Sequence, residues 1–352
     1  MISFVNDYSE NACPEILEAL IETNMEGNPG YSSDKHSQLA KKYIQEKINC
    51  PNADVQILCG GTQANLIASA AFLRPHEAII AVKTGHVCVH ETGAIEATGH
   101  KCIEVDGYDG KVTCKDIDRV CASQHWDHGG ILTVKPRMVY ISQTTEIGTV
   151  YSEKEIRDLR TKCDEYGLLL YCDGARLGSA LACSDVTLPT LAEFCDAFYI
   201  GGTKNGALFG EAMVIVNEKL QEDFRYIAKQ NGGMLAKGWL LGLQFEVLMK
   251  DGLFEKNGEH ANDMAMILKN GLIENGIEFT SDSNSNQQFC VMDNSILEGL
   301  KNDFDWEIIS KIDEDRTEIR LVTSWATSEK DVLYFVDRLE EEIKKENRKV
   351  NK

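Results

Sequence analysis

The sequence lacks the features of a secreted or membrane-spanning protein. No stretch approaches 18 consecutive apolar residues, so we expect no transmembrane helix. The opening segment, MISFVNDYSENACPEIL, has neither the basic region nor the apolar region of a signal peptide. The 12 cysteines include no C-x-x-C pair, and several fall in strand-like runs, which indicates reduced core thiols. We therefore expect a cytoplasmic protein.

Basic residues are also scarce. The chain has 36 Lys and Arg against 56 Asp and Glu, which gives a net charge of -20. Nucleic acids and anionic membranes both need a basic surface on their protein partner, so we expect neither as a partner. Internal repeats and low-complexity linkers are absent. The 352 residues are enough for two domains.

Short, nearly continuous apolar runs alternate with amphipathic helical patterns along the first two thirds of the chain. One helical pattern is EKEIRDLRTKCDEYG, with Gly167 where a helix C-cap is expected. This alternation predicts an α/β domain with a mostly parallel seven-stranded sheet covered on both faces. The predicted strands are 55–59, 78–82, 101–105, 138–142, 168–173, 197–202 and 212–217.

The pattern changes after about residue 245. Helical stretches such as HANDMAMILKNGLIENG are followed by short strand candidates, QQFCVM and EIRLVTSW, and by a charged final helix. We predict a large domain over residues 1–245 and a smaller C-terminal α+β domain over residues 246–352.

Unusual groups stand at the carboxyl ends of the predicted strands, where open α/β sheets bind their ligands. Asp173 follows LLLYC, and Lys204 follows AFYIGG. Upstream, CGGTQANLIASAAFL places Gly60, Gly61 and Thr62 directly before a helical pattern. The free N–H groups of such a turn suit a phosphate, although the segment is neither a Walker A loop nor G-x-G-x-x-G.

These groups fit the chemistry of pyridoxal phosphate. A lysine at the sheet edge, with its pKa depressed by burial and nearby cations, can form a Schiff base, which is the role predicted for Lys204. A carboxylate such as Asp173 can hold the proton of the pyridine nitrogen. Arg176, three residues later, is expected to bind the carboxylate of an amino acid.

The same segments, in the same order, resemble those of the threonine aldolases, a family of pyridoxal-phosphate enzymes with fold type I, the aspartate-aminotransferase-like fold. The resemblance covers nearly the whole chain and rests on the following segments: FVNDYSENACPEIL, NPGYSSDKHSQLAKKY, GGTQAN, TGHVCVHETGA, YCDGARL, GGTKNGALFGE and IRLVTSW.

The resemblance implies an aldolase that cleaves L-threonine or L-allo-threonine to glycine and acetaldehyde. It makes Lys204, His86 and Asp173 the catalytic residues, with His86 stacked on the cofactor ring. The other residues it implies for the cofactor are Gly60, Gly61, Thr62, Arg176 and Thr203. For the substrate it implies Asn6, Tyr31, Arg176 and Arg320. Active sites shared between subunits of a homodimer or homotetramer are also implied.

Two departures from the family pattern concern the substrate and the phosphate. Glu146 stands where many threonine aldolases have a histidine near the substrate hydroxyl. Leu235 replaces an arginine that helps to bind phosphate, and Lys229 or Lys237 is the possible substitute. We hypothesise that Tyr31 and one of these lysines reach the active site of a neighbouring subunit.

Alternative functions stay open at this point. The same electron sink serves β-elimination and transamination, so another pyridoxal-phosphate lyase or an aminotransferase is an alternative. A non-catalytic binding protein is a further alternative, disfavoured by the presence of Lys204, Asp173 and Arg176 together. His86 and His90 have the spacing of metal ligands on a helix but no third ligand at a useful distance, so we expect no metal.

Overall fold

The computed structural model describes residues 1–123 and 130–350. Within them, seven strands form the main sheet, in the order β2-β8-β7-β6-β5-β3-β4. All neighbouring strands are parallel except β8, which runs antiparallel to both β2 and β7. The strands are β2 (Asp54–Leu58), β3 (Glu77–Val82), β4 (Lys101–Val105), β5 (Lys135–Ser142), β6 (Leu169–Asp173), β7 (Ala197–Gly201) and β8 (Glu211–Ile215). The predicted seven-stranded, mostly parallel sheet is confirmed.

Each face of this sheet packs into its own hydrophobic core. Ile80 and Leu170 belong to one core, whereas their neighbours Ile79 and Leu169 belong to the other. Alternate residues of a strand point to opposite faces, so a strand covered on both sides must be apolar at every position. This is why the strands appear in the sequence as continuous apolar runs.

Eleven helices of the described residues accompany the sheet. They are α1 (Pro14–Glu22), α2 (Lys35–Lys47), α3 (Gly61–Phe72), α4 (His86–Val89), α5 (Ala94–Ala97), α6 (Cys114–Ser123), α7 (Glu153–Tyr166), α8 (Leu177–Ala182), α9 (Leu188–Phe194), α10 (Phe224–Gln230) and α11 (Trp239–Lys250). Helix α7 begins with a capping box between Ser152 and Glu155 and ends at Gly167, which has a left-handed φ of 65°.

The C-terminal part of the chain contains a second, four-stranded sheet in the order β12-β13-β10-β9. Its strands are β9 (Glu278–Phe279), β10 (Gln287–Asp293), β12 (Glu307–Lys311) and β13 (Arg316–Val322), and its helices are α12 (Leu253–Glu274), α13 (Asn294–Leu300) and α14 (Glu329–Val350). The smaller α+β unit is therefore present. Residue 245, the predicted boundary, lies inside the continuous helix α11.

The N-terminal strand packs with this C-terminal unit. Strand β1 (Ile2–Ser3) pairs in parallel with β11 (Phe304–Asp305), and the Val322 N–H donates to the Phe4 carbonyl at 2.8 Å. Phe4 lies in the hydrophobic core of the C-terminal unit. The first residues therefore belong structurally to the smaller unit, although the sequence placed them with the large domain. None of the helices in the described part of the chain is long and apolar enough to cross a membrane.

Candidate active site

A cavity of about 540 Å³ lies at the edge of the main sheet where the parallel strands end. Strand order places the turns after β6 and β7 side by side there, opposite the start of α3. Ten of the residues predicted from the sequence line this cavity: Gly60, Gly61, Thr62, His86, Glu146, Asp173, Arg176, Thr203, Lys204 and Arg320.

Asp173, the last residue of β6, is buried and accepts four hydrogen bonds. Tyr199 and Tyr140 donate their hydroxyls at 2.5 and 2.6 Å, and the side-chain amide of Asn65 donates at 3.0 Å. The fourth donor is the Ala175 N–H, also at 3.0 Å. Because burial and the charge of Asp173 raise the pKa of both tyrosines well above 10, their hydroxyls stay protonated and remain donors. The structure thus holds a buried carboxylate at a fixed position.

Lys204 follows β7 on the turn that begins at Gly202. Within the described residues its Nζ is in no hydrogen bond or ion pair, and it lies 5.9 Å from the centre of the Tyr8 ring. Burial, together with the positive charge of Arg176, lowers the pKa of Lys204, while nearby carboxylates oppose this shift. An amine of lowered pKa is more often unprotonated at neutral pH and is therefore a better nucleophile.

The glycine-rich segment begins helix α3, as predicted. Gly60 is the N-cap and Gly61 the first helical residue, so the first N–H groups of the helix face the cavity and can bind an anion. A Cβ at Gly61 would lie 2.8 Å from the Tyr199 hydroxyl oxygen, the group that donates to Asp173. A side chain at position 61 would therefore displace the Tyr199 hydroxyl from its hydrogen bond to Asp173.

His86 is held between two glutamates. Its Nδ1 lies 2.8 Å from Glu91 Oε1, and its backbone N–H donates to Glu146 Oε1 at 2.9 Å. Burial opposes protonation of the imidazole, but the Glu91 hydrogen bond and the charge of Asp173 outweigh it and raise the pKa of His86. Its ring lies 5.5 Å, centre to centre, from the ring of His90. Among the described residues, no three or more His, Cys, Asp or Glu side chains lie close enough together to bind a metal ion.

Glu146 is half-buried at the cavity wall. One oxygen accepts hydrogen bonds from His86 N–H and from the Ser142 hydroxyl, the latter at 2.6 Å. The other oxygen, Oε2, has no hydrogen-bond partner within the described structure. Burial raises the pKa of Glu146. An unpartnered buried oxygen at a cavity wall is placed to interact with a bound molecule.

Both predicted arginines line the cavity, but both already have partners. Arg176 donates through Nε and Nη2 to the two oxygens of Asp7, at 2.7 and 3.1 Å. Arg320 donates to Gln287 Oε1 at 3.0 Å and forms an ion pair with Glu307. Burial, reinforced by the charge of Arg176, lowers the pKa of Arg320.

Four predicted residues do not line the cavity. Asn6 accepts from the Tyr8 N–H at 2.9 Å and so stabilises its own turn. Tyr31 is 45% exposed, and the Lys229 ammonium lies 4.5 Å from the centre of its ring. Lys237 is also exposed. Tyr31 and the two lysines thus lie on the surface of this chain, where a second subunit could meet them.

Sequence reasoning missed several residues of the site. Tyr140 and Tyr199 were counted only as strand residues, although an alternation pattern could have placed them on one face. Glu211 begins β8, and only the antiparallel direction of that strand brings it to this edge. Asp7 and Glu307 come from distant parts of the chain, and no local pattern connects them with the arginines.

The arrangement fits pyridoxal 5'-phosphate. A buried carboxylate is fixed by four donors, a helix N-terminus offers free N–H groups, and a lysine of lowered pKa lies at the same cavity. The fold and the site define a pyridoxal-phosphate enzyme of fold type I. An aspartate aminotransferase from Thermus thermophilus shares this fold, with a TM-score of 0.69 at 15% identity over 97% of this chain and 91% of its own.

Family comparisons agree with this class. The family model described as beta-eliminating lyase matches residues 4–295. A low specificity L-threonine aldolase from a Pseudomonas species is 32% identical over 93% of each chain. A solved threonine aldolase structure from Leishmania major has a TM-score of 0.95 and 46% identity, covering 97% of this chain and 100% of its own. The chain belongs to the beta-eliminating lyase family and, within it, to the threonine aldolases.

Proposed function

We propose that the protein cleaves L-threonine or L-allo-threonine to glycine and acetaldehyde. The observation that carries the proposal is the meeting, at one cavity, of the donor-fixed carboxylate of Asp173, the Lys204 amine and two arginines. The names of the Pseudomonas and Leishmania relatives support the same reaction. A TM-score of 0.72 to a Listeria monocytogenes L-allo-threonine aldolase, at 16% identity, supports only the fold.

Pyridoxal phosphate, when bound, supplies an electron sink for the bond that breaks at Cα. Asp173 would keep the proton on the ring nitrogen, and its four donors hold its carboxylate in place. Lys204 would carry the cofactor, and His86 would cover its ring. The N–H groups at Gly60, Gly61 and Thr62 would hold the phosphate, and Thr203 and Arg176 would complete this side of the site. These assignments are supported by the position of each residue at the cavity.

The substrate carboxylate binds to Arg320, with Arg176 beside it. Glu307 and Gln287 hold the Arg320 fork in the structure, so the substrate carboxylate has to displace Glu307 from the guanidinium. Arg176 keeps its bidentate pair with Asp7 and contributes a fixed positive charge. Such a site selects an amino acid by its carboxylate.

Cleavage between Cα and Cβ requires a proton to leave the β-hydroxyl. Glu146 is suited to accept it, because one of its oxygens is unpartnered and its raised pKa brings it closer to neutral pH. His86 positions this carboxyl through its backbone N–H, and its ring can hold a proton beside it because Glu91 supports the charged imidazole. Glu146 would thus serve in the role that the resemblance to the threonine aldolases assigns to a histidine at this position.

The product set tests the proposal. Purified enzyme with pyridoxal phosphate is mixed with L-threonine, L-allo-threonine or L-serine, and acetaldehyde, glycine, pyruvate and 2-oxobutyrate are measured. Equal amounts of glycine and acetaldehyde from either threonine isomer are expected. Pyruvate from serine or 2-oxobutyrate from threonine, without acetaldehyde, would instead identify β-elimination. A 2-oxo acid formed only when an acceptor keto acid is added would identify transamination.

The active enzyme is a homodimer or homotetramer in the cytoplasm. Exposed Tyr31 and its neighbour Lys229, together with Lys237, support a shared site, because aromatic residues are enriched at interfaces. Lys229 or Lys237 would supply the positive charge for the phosphate that is missing at Leu235, where the family pattern has an arginine. Each of the 12 cysteines, all within the described residues, is a free thiol, which supports a reducing compartment.

A further inference from the structure

Glu211 is a buried carboxyl at the cavity that the reaction above does not use. It is the first residue of β8, and its Cα pairs with Gly201 of β7 and Leu58 of β2. Since β8 is antiparallel, its first residue lies where the parallel strands end. Glu211 is only 4% exposed and lines the same cavity as Lys204.

The two carboxyl oxygens of Glu211 accept one hydrogen bond each from the two residues that precede Lys204. Oε2 accepts the Gly202 N–H at 3.1 Å, and Oε1 accepts the Thr203 hydroxyl at 2.8 Å. The Thr203 hydroxyl oxygen also accepts the Gly210 N–H at 3.0 Å. A single carboxyl therefore ties the turn that carries Lys204 to the start of β8, and it fixes the direction in which the lysine leaves the sheet.

Glu211 and Lys204 also influence each other electrostatically. Burial raises the pKa of Glu211 to about 8, although the positive charge of Lys204 opposes this shift. Around pH 8 the carboxyl therefore changes charge close to the lysine. The other charged or titratable groups that interact with one or both are Arg176, Asp7, Asp173, His86, His90, Tyr8, Tyr171 and Tyr199.

We propose that Glu211 is a positioning residue for Lys204: it holds the Gly202–Thr203 turn and supplies the ionisable charge that governs how tightly the Lys204 nitrogen keeps its proton. A carboxyl with a purely structural role would only need to accept hydrogen bonds, and an amide oxygen would serve in part. A carboxyl that also acts by its charge has to ionise. The proposal rests on Lys204 carrying the cofactor, as proposed above.

The test is a pH titration of the visible absorption of the bound cofactor in the holoenzyme, from pH 6 to 10, for wild type, Glu211→Gln and Glu211→Asp. We expect the midpoint of the Glu211→Gln protein to fall by about one pH unit, a tenfold loss in proton affinity. The negative charge that favours the protonated nitrogen is then missing. Glu211→Asp keeps an ionisable group on a shorter side chain, so its midpoint should fall by about half as much as that of Glu211→Gln.

Glu77→Gln is the matched control. Glu77 is a buried glutamate, 5% exposed, that begins β3 at the opposite edge of the sheet, and it accepts a backbone hydrogen bond from Arg74. The midpoint of the absorption titration of Glu77→Gln should equal that of wild type. An unchanged midpoint in Glu211→Gln would overturn the proposal.

If Glu211→Gln fails to retain the cofactor, Glu211→Asp decides alone: a midpoint below that of wild type supports the proposal, and an unchanged midpoint overturns it. The two proposals fail in different ways. A wild-type absorption band that persists in Lys204→Ala would show that the lysine assignment is wrong. An absorption band that depends on Lys204 but has the wild-type midpoint in both Glu211 variants would refute only the role of Glu211.

Discussion

Asp7 and Arg176, which are 169 residues apart in the chain, form a buried bidentate ion pair at the wall of the cavity. Asp7 and Arg176 differ in their other contacts. Asp7 also accepts from the side chain of Asn286 at 2.8 Å, whereas Arg176 faces the cavity. Burial would by itself raise the pKa of Asp7, but the charges of Arg176 and Lys204 outweigh it and lower that pKa.

Replacing Asp7 by Asn should destabilise the protein by about 3 kcal/mol, because it leaves the Arg176 charge buried without its partner. Urea unfolding at pH 7 measures this change. The lowered pKa of Asp7 means that the pair stabilises the fold above the ordinary pKa of 3.8 and that this stabilisation is lost as pH falls through the folded-state value. Asp106→Asn, which removes an exposed pair with Lys83, should cost less than about 1 kcal/mol. Equal losses in the two variants would contradict the prediction.

Replacing Lys204 by Ala should abolish turnover, because no other lysine among residues 1–123 and 130–350 lines the cavity and could carry the cofactor. Borohydride reduction of wild type, followed by peptide mapping, should place the cofactor on Lys204. Lys115→Ala offers a lysine control on the chain surface and should still give a reduced adduct on Lys204. An adduct on any other lysine of the wild-type chain would refute the assignment.

Asp173→Asn should reduce kcat by at least about a hundredfold while lowering stability far less. A neutral amide cannot hold the proton of a pyridine nitrogen, but its oxygen can still accept a hydrogen bond from a tyrosine hydroxyl. Steady-state kinetics and thermal unfolding measure the two effects separately. Asp116→Asn, a buried carboxylate that accepts from Thr113 at the start of α6, is the control and should keep wild-type kcat. Wild-type turnover in Asp173→Asn would show that Asp173 has another partner.

His36 should make stability depend on pH. Its imidazole lies between Glu246, at 2.6 Å from Nδ1, and Glu26, at 3.0 Å from Nε2. Burial opposes its charge, yet the two glutamates raise the pKa of His36 overall. The stabilisation is therefore complete below about pH 6.5 and disappears as pH rises through the folded-state pKa.

Urea midpoints at several pH values between 6 and 9 measure the effect of His36. Wild type should lose more stability across this range than His36→Gln. The exposed His76→Gln should behave as wild type. Parallel curves for wild type and His36→Gln would exclude a charged His36 in the folded state.

Assembly is expected to affect the active site. If Tyr31 and one of Lys229 or Lys237 reach the cavity of a partner subunit, dilution should lower specific activity and cofactor retention together. Lys229→Ala and Lys237→Ala, compared at one concentration, should identify the lysine by a weaker affinity for pyridoxal phosphate. Sedimentation that shows a fully active monomer at assay concentration would rule out a shared site.

The strands and the central site residues were predictable because each has a local signal. A strand buried on both faces must be apolar throughout, and a carboxylate such as Asp173 stands out at its end. Lys204 stands out for the same reason. Each signal belongs to a single strand. Once those strands are known to be parallel neighbours in one sheet, Asp173 and Lys204 are also expected to lie side by side at the same edge.

Residues recruited over long distances were not predictable in this way. Glu211 reaches the cavity only because β8 runs against its neighbours, and its sequence context looks like the start of any strand. The partners of the arginines, Asp7 and Glu307, come from the two ends of the fold. Tyr199 looks like an ordinary core residue until the register places its hydroxyl on Asp173.

The pairing of β1 with β11 connects the active site to the smaller unit. Ile2 and Ser3 are hydrogen-bonded into that unit, Phe4 is buried in its core, and Asp7 follows three residues later. Asp7 also binds Asn286, which lies at the start of the smaller sheet. Any rotation of the smaller unit would therefore carry Asp7 with it, and the Arg176 guanidinium that Asp7 holds would move too, so that the charge beside the substrate carboxylate is positioned by a segment of the smaller unit.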